Sequence, residues 1–331
     1  MKNLKRTWKK ELQLLSEATS TSRCFYNKES SNCNSTINFS HAEGKNLFLN
    51  KSFIMYNKIF FIISFLFCNT LQSQDKRFFY QYDYYPDSTD VQLKKTEVMF
   101  LDIFKEKSEF FSQTKLASDS LLAEADRTGK YAMSFKDMNN TYKIIKSING
   151  EVVYENTELE MGRIVIKDDR KINWKILKDK KQINNYTVQK AKAFFAGREW
   201  EAWFTTEIPI NDGPYKFHGL PGFIVNIADV KLQHQFTLMG NKNLEASYRY
   251  PDLKEKKIEL SLEKYKELLN FYRNDPASKI RMKYMAGKIP HQRDHNGNTV
   301  SGMDIVLRVE KSLKEKISKD NNIIEIDLLR Y

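Results

Sequence analysis

By residue type, the groups in this chain best suited to chemistry are a histidine and the carboxylates around it. His218 stands directly before Gly219, Leu220, Pro221 and Gly222, with Asp212 and Lys216 close by in sequence. An imidazole titrates near neutrality and acts as a general base when a carboxylate orients it. Asp229 and Glu207 are the carboxylates that strands folding back would bring to it. Glu199 and Glu201 lie two residues apart, so on a strand they share a side and resemble an acid/base pair. Trp203 points opposite to Trp200 and would serve as a platform for a sugar or apolar ligand. Each residue also has a plainer reading. His218 would pin a turn, the two glutamates would alternate with Lys190 and Lys192 on a solvated face, and Trp203 would cover a sheet.

The other histidines offer less. The run HQRDH supplies His291, Asp294 and His295, but convergence of two rings at i,i+4 requires a helix. Pro290 and Gly297 argue for a loop instead, so no metal site is expected. His234 sits in LQHQFTL, where Leu232, Phe236 and Leu238 share its strand face, which predicts a buried, hydrogen-bonded core histidine. The sequence has no Gly-x-Ser-x-Gly elbow, His-Glu-x-x-His helix, phosphate loop or dinucleotide fingerprint, and no cofactor is expected.

These residues lie among strands. FFYQYDYYPDS is aromatic-rich and stopped by Pro86; TEVMFLDIF and KSEFFSQ form a hairpin around a charged turn. SDSLLAEADRTG predicts a short helix that ends at Gly129. KYAMSFKD, TYKIIKSI, EVVYENT, RIVIKD and INWKILK follow as short strands with no long helix between them, which predicts an antiparallel meander. In TVQKAKAFFAGREWEAWFTTEIPI, a two-residue loop at Gly197 and Arg198 would pair Phe195 with Trp200, Ala193 with Ala202 and Ala191 with Phe204. That places all six on one face and leaves Phe194, Lys192, Val188, Glu201, Trp203 and Glu207 on the other. Leu220 to Phe223 fit a type II turn, with Pro221 presetting φ and Gly222 supplying a positive one.

Past Gly240 the period changes. Ser261 caps LEKYKELLNFYR, Asp275 and Pro276 start a second short helix, and VLRVEKSLKEKI is helical through Val306, Val309, Leu313 and Ile317. NNIIEIDLL reads as a closing strand. The fold class is therefore α+β: a curved, mainly antiparallel β-sheet or incomplete barrel, β-rich to about residue 245, with helices mostly from the C-terminal third.

The N-terminal part has a different composition. MYNKIFFIISFLFCNTLQSQ has Lys58 as a positive n-region and an apolar core from Ile59, so residues 55–73 read as a signal peptide cleaved before Gln74. The apolar run falls short of the roughly 20 residues that span a bilayer. Phe67 before Cys68 disfavours a lipidation site. Residues 1–54 read as an upstream start or a disordered extension. They and the leader carry 10 Lys+Arg and 4 Asp+Glu, so the net charge of +12 falls to +6 over residues 74–331. Cys24, Cys33 and Cys68 all lie in the removed part, leaving a chain with neither disulfide nor thiol nucleophile. The remaining basic residues alternate with acids and form no stripe, so nucleic acid is not an expected partner.

GREWEAWFTTEIPINDGPYKFHGLPGFIVNIAD, with GLPGFI at Gly219, Leu220, Pro221, Gly222, Phe223 and Ile224, resembles the GLPGLI family of exported proteins of Gram-negative bacteria. The early Tyr-rich strand, the Trp174 strand and the final Asn-Asn-x-Ile-Glu segment fit too, so the resemblance runs over most of a single domain at 74–331. Phe223 stands where the family name has leucine. The resemblance implies export and a β-rich fold and brings no catalytic residues with it. The leading expectation is a noncatalytic envelope protein, in the periplasm, at the outer membrane or secreted, binding an apolar or peptide ligand or a protein partner. The alternatives are a hydrolase working through His218 with a nearby carboxylate, and a purely structural assembly component.

Overall fold

The computed structural model describes residues 74–329 apart from 91, 136–137, 158–161, 290–291, 294–296 and 298. The expectations for residues 1–73 and for His291, Asp294 and His295 lie outside the described residues. All the described elements lie in one compact unit within residues 72–331. Among the described residues no helix is long and apolar enough to cross a membrane.

Strand β1 (Lys76–Tyr84) shows why a sheet forms. Phe78, Tyr80, Tyr82 and Tyr84 alternate with the less buried Phe79, Gln81 and Asp83, so one face of the strand is a column of buried rings. β2 (Lys95–Ile103) and β3 (Lys107–Ser112) pair with it as an antiparallel meander. β4 (Tyr142–Ser147), β5 (Val152–Asn156) and β6 (Arg163–Asp168) continue it outward. On the other side of β1 the sheet runs through β11 (His234–Asn243), β10 (Phe223–Asp229), β9 (Arg198–Thr205), β8 (Tyr186–Phe195) and β7 (Lys175–Ile183). β12 (Lys257–Leu260) adds to β6 in parallel and completes an open sheet of twelve strands, β12-β6-β5-β4-β3-β2-β1-β11-β10-β9-β8-β7. To reach β6, the chain leaves β11 and crosses the sheet face that carries Arg77, Phe111 and Lys143. Tyr248 stacks on the Arg77 guanidinium at 4.8 Å, and Tyr250 lies against Phe111 and over Lys143.

Four helices accompany the sheet among the described residues: α1 (Gln113–Thr128), α2 (Leu262–Asn274), α3 (Ser278–Met285) and α4 (Gly302–Ser318). α1 begins earlier than the SDS stretch suggests, because the Ser112 side chain already accepts from the Lys115 amide at 3.0 Å. Ser118 and Asp119 lie inside it, accepting from the Phe135 amide and the Tyr250 hydroxyl. Gly129 ends the helix in the left-handed region, as expected. The expected strand at KYAMSFKD is absent over residues 130–135, where Tyr131 and Met133 face solvent without a partner strand. Asp275 closes α2 and does not open α3, whose N-cap is Ala277. α4 is started by a capping box between Ser301 and Asp304. β13 (Gln292–Arg293) and β14 (Thr299–Val300) form a small separate ladder.

The β8–β9 hairpin has the expected faces in a different register. Ala196 and Gly197 form the loop with φ of 55° and 79°, so Phe195 opposes Arg198 and Ala193 opposes Trp200. Ala191 opposes Ala202 and Gln189 opposes Phe204. Each partner moves by two residues, an even number, so the apolar face stays in the core. Two left-handed loop residues match the twist of the strands, which a Gly197–Arg198 loop would not have allowed Arg198 to join. Val188 departs from the expected mixed face and is buried in the core. Leu232 likewise leaves the His234 face and lies exposed in the turn before β11.

Candidate functional site: the buried corner

Between β9 and β10 the chain does not run over the surface. Residues 211–224 fold inward against the sheet, where Tyr215, Phe217, Leu220, Phe223 and Ile224 are all buried in the main core. Phe217 packs on Trp200 at 4.6 Å, Phe223 on Phe78 at 4.2 Å and Tyr215 on Tyr142 at 5.4 Å. One loop thus touches strands from both halves of the sheet. The Tyr80 hydroxyl donates to the Ile224 carbonyl at 2.5 Å, and Trp174 Nε1 donates to the His218 carbonyl at 2.8 Å.

The corner makes two reversals. Phe217 N donates to Pro214 O at 3.1 Å across Tyr215, which adopts φ of 53°. A left-handed backbone at a bulky residue costs energy, and here the Tyr215 ring and hydroxyl are fixed by their surroundings. The second reversal differs from the expected type II turn. Gly222 N donates to Leu220 O at 2.8 Å, which is a three-residue turn centred on Pro221. Gly222 does take a positive φ, 151°.

Buried charge surrounds this loop. Lys216 is 3% exposed, and its ammonium meets Asp168 Oδ2 at 2.7 Å and Glu325 Oε1 at 2.5 Å. Arg170 reaches Asp168 through Nε at 2.8 Å and Nη2 at 2.6 Å, and also binds Glu325. The Tyr215 hydroxyl donates to Glu325. Burial pushes the Asp168 carboxyl up, but hydrogen bonds from Arg170 and the charge of Lys216 outweigh it and hold Asp168 far below the usual range. Glu325, 2% exposed, behaves in the same way: burial is overcome by the charges of Lys216 and Arg170, and its carboxyl is held low. A second lysine, Lys146, inserts from β4 and pairs with Asp212 while donating to Gly213 O at 2.5 Å. Burial lowers its pKa, and the Asp212 charge opposes that shift.

The last segment of the chain closes over this arrangement. Residues 321–325 form no strand, contrary to expectation, and Ile326–Leu329 form a short 3-10 turn. The reason is that the carbonyls of residues 322–324 go to side chains. Arg198 donates to Ile324 O at 3.0 Å, Ile323 O at 2.7 Å and Asn322 Oδ1 at 2.6 Å. Asn322 donates to Tyr85 O at 2.6 Å. His234 is the buried core histidine that its strand position predicts, with Nδ1 2.7 Å from the Tyr82 hydroxyl and Nε2 2.9 Å from Asn322 O. A carbonyl can only accept, so Nε2 carries the proton and Nδ1 accepts from Tyr82.

Burial, reinforced by the positive charge of Arg198, holds the His234 pKa well below its ordinary value. The folded chain therefore keeps this ring neutral while the unfolded chain protonates it below about pH 6.5. Stability is expected to fall as pH drops through that value, by up to about 1.4 kcal/mol per pH unit. Urea midpoints measured on either side of neutrality should show this slope in the native chain and its loss in His234→Gln.

The residues proposed for chemistry are not gathered in one place. His218 is half-buried, its Nδ1 2.7 Å from the Lys216 carbonyl, and its backbone bridges Asp212. Asp229 is taken by Arg198 Nη1 at 3.3 Å and by the His234 amide at 2.8 Å. Glu207 accepts from the Thr187 amide at 2.8 Å. Among the described residues, no hydrogen bond joins His218 to either carboxylate. Glu201 lies between Lys190 and Lys192, each at 2.8 Å, and Glu199 is 3.5 Å from Lys192. Both lysine charges hold the Glu201 carboxyl below its ordinary value through hydrogen bonds. Lys181 sits over the Trp203 ring at 3.9 Å, which occupies that platform with a residue of the chain itself. Among the described residues no cluster of His, Cys, Asp or Glu is arranged to hold a metal.

A twelve-stranded, mostly antiparallel open sheet with its own β9–β10 corner packed into the core defines an α+β protein with a structural signature in that core. The family model described as "Protein of unknown function (Porph_ging)" matches residues 196–226, a short segment running from the β8–β9 turn through the corner. The match on that segment agrees with the GLPGLI resemblance. No curated protein matches the sequence. Two solved structures of PNGF-II, in the P21 and C2 space groups, are similar at a TM-score of 0.43, with 14% and 15% identity. They match 59% of this chain, which spans 33% and 32% of theirs, about a third of their length.

Proposed function

We propose that this is a noncatalytic, exported partner-binding protein of the cell envelope that takes an extended apolar peptide segment along the free edge of β12. The observation that carries the proposal is the difference between the two sheet edges. β7 exposes Lys175, Lys178, Lys180 and Lys181 and is broken by a register irregularity between Ile176 and Lys180, both of which discourage strand addition. β12 lies at the other end with one side unpaired among the described strands. Beside it runs a groove of about 400 Å³ lined by Ile164, Ile258, Leu260, Leu268 and Phe271, with Lys264 and Glu267 at its rim. An added strand would gain main-chain hydrogen bonds from β12 and seat alternate apolar side chains in this groove. The filled corner supports the same reading, since its polar groups are committed to internal pairs.

Export rests on the leader pattern at residues 55–73 and predicts a mature chain that begins at Gln74. A photo-crosslinking residue in place of exposed Glu259 on β12 should form adducts with a polypeptide in the native envelope, and one in place of Lys178 on β7 should not. Adducts that are equal at both positions, or absent from position 259, would overturn the proposal. Recovery of a chain that begins at Met1 would remove export.

A further inference from the structure

The α3–α4 hairpin carries surface chemistry that the partner groove does not use. The two helices pack side by side: Arg281 on α3 reaches Glu310 on α4 at 3.0 Å, and the Tyr284 ring lies against Gly302. The residues that follow this ring contact, Met285 and Met303, are both exposed, at 81% and 45%. Met282 precedes Met285 by three positions and is 63% exposed; Leu307 follows Met303 by four and is 53% exposed. Each helix therefore displays a pair of large apolar side chains at helical spacing. Internal packing would bury such residues, and single exposed ones are ordinary, but four on two adjoining helices form a patch.

Charge decides what covers the patch. α3 holds Lys279, Arg281 and Lys283 with no acid, and α4 holds Arg308, Lys311, Lys314 and Lys316 against Asp304, Glu310 and Glu315. Over residues 278–319 the sequence has ten Lys+Arg and four Asp+Glu, a net charge of +6, as large as that of the whole segment 74–331. The remainder of that segment is therefore neutral in sum, and the hairpin is, with the lysines of β7, one of its two basic surfaces.

Exposed methionine and leucine ringed by lysine and arginine is the surface chemistry that lies flat on an anionic bilayer: apolar side chains enter the headgroup boundary while cations meet lipid phosphates. We propose that the α3–α4 hairpin is a peripheral docking surface for an anionic phospholipid membrane. Flexible, unbranched methionine side chains suit such a boundary because they adapt to irregular surroundings. The surface is reversible in design, with four apolar groups and no long apolar helix among the described residues.

The test uses the chain from Gln74, which contains every described element of the fold and lacks the apolar leader that would bind lipid by itself; cooperative thermal unfolding checks that it is folded. It is floated with vesicles of phosphatidylcholine alone and of phosphatidylcholine mixed with phosphatidylglycerol. Binding is expected only with the mixed vesicles and should weaken steeply with added salt. Met285→Glu with Met303→Glu should weaken it by roughly tenfold or more, as should Lys283→Glu with Lys311→Glu, while Met285→Leu with Met303→Leu should retain it. Equal binding to neutral vesicles, or binding unchanged by the glutamate variants, would overturn the proposal. So would an absence of vesicle binding combined with self-association that the same variants abolish, since the patch would then belong to a second copy of the chain.

Discussion

Gly222→Ala is expected to leave little folded protein. A Cβ at this position would lie 2.2 Å from Thr205 O, 2.8 Å from Thr205 C and 3.2 Å from Thr206 Cα. All three are backbone atoms, so no side-chain rotation relieves the clash. Thr205 is also the partner of Phe223 in the β9–β10 ladder, and moving it would separate the corner from the sheet at the point where Tyr80 holds Ile224. A cost of about 4 kcal/mol or more is expected, a large part of the roughly 5–15 kcal/mol by which a domain is stable. Gly219→Ala serves as the control. Gly219 has φ of 88° but no atom within 4 Å of its virtual Cβ, so only the left-handed backbone is penalised, by about 1–2 kcal/mol. Soluble yield and urea midpoints should rank the two variants far apart. Equal effects would mean that backbone conformation, and not the approach to Thr205, is what the signature glycine supplies.

The sequence made the sheet legible because burial on one face leaves a period of two, as in β1 and β8, and that period survives errors of detail. The β8–β9 register is the example: the sequence pattern puts the loop one residue late and each pair off by two, yet Trp200, Ala202 and Phe204 are in the core either way. Boundaries set by single hydrogen bonds were harder to read. The Ser112 cap starts α1 inside what looks like a strand end, and only the fold shows that Asn322 to Ile324 give their carbonyls to Arg198 and His234 instead of to a neighbouring strand. The corner was legible as two reversals, and its wrapping inside the sheet was not, since local turn residues do not say which way a loop folds. Glu325 and Arg170 were missed for the same reason: they lie 155 residues apart, and nothing local marks either as buried. The signal available was the final Asn-Asn-x-Ile-Glu segment of the family resemblance, which supplies both Asn322 and Glu325.

That missed cluster carries the second large effect. Asp168, Arg170, Lys216 and Glu325 alternate as two cations and two anions, and Asp327 adds a third, more exposed carboxylate to Arg170 at 3.2 Å. Glu325→Gln keeps the shape but leaves buried Lys216 with Asp168 alone, a carboxylate it shares with Arg170, while Asp327 still meets Arg170 from the more exposed side. Breaking one member of a buried pair in this way is expected to cost about 3–5 kcal/mol. Lys216→Met should cost a similar amount by leaving Asp168, Glu325 and Asp327 to Arg170 alone. The double variant should be less damaging than the sum of the singles, because each substitution removes part of the imbalance left by the other. Acid should act on the same contacts. The folded pKa of both Asp168 and Glu325 is depressed, so their contribution is fully present above the unfolded values of about 4 and is lost as pH falls toward the folded ones. The urea midpoint of the native chain should therefore drop steeply below about pH 4, and Glu325→Gln should start lower at neutral pH and descend less. A loss under about 1 kcal/mol at neutral pH would instead be the behaviour of a solvated surface pair, and would show that the C-terminal segment does not close the corner from water.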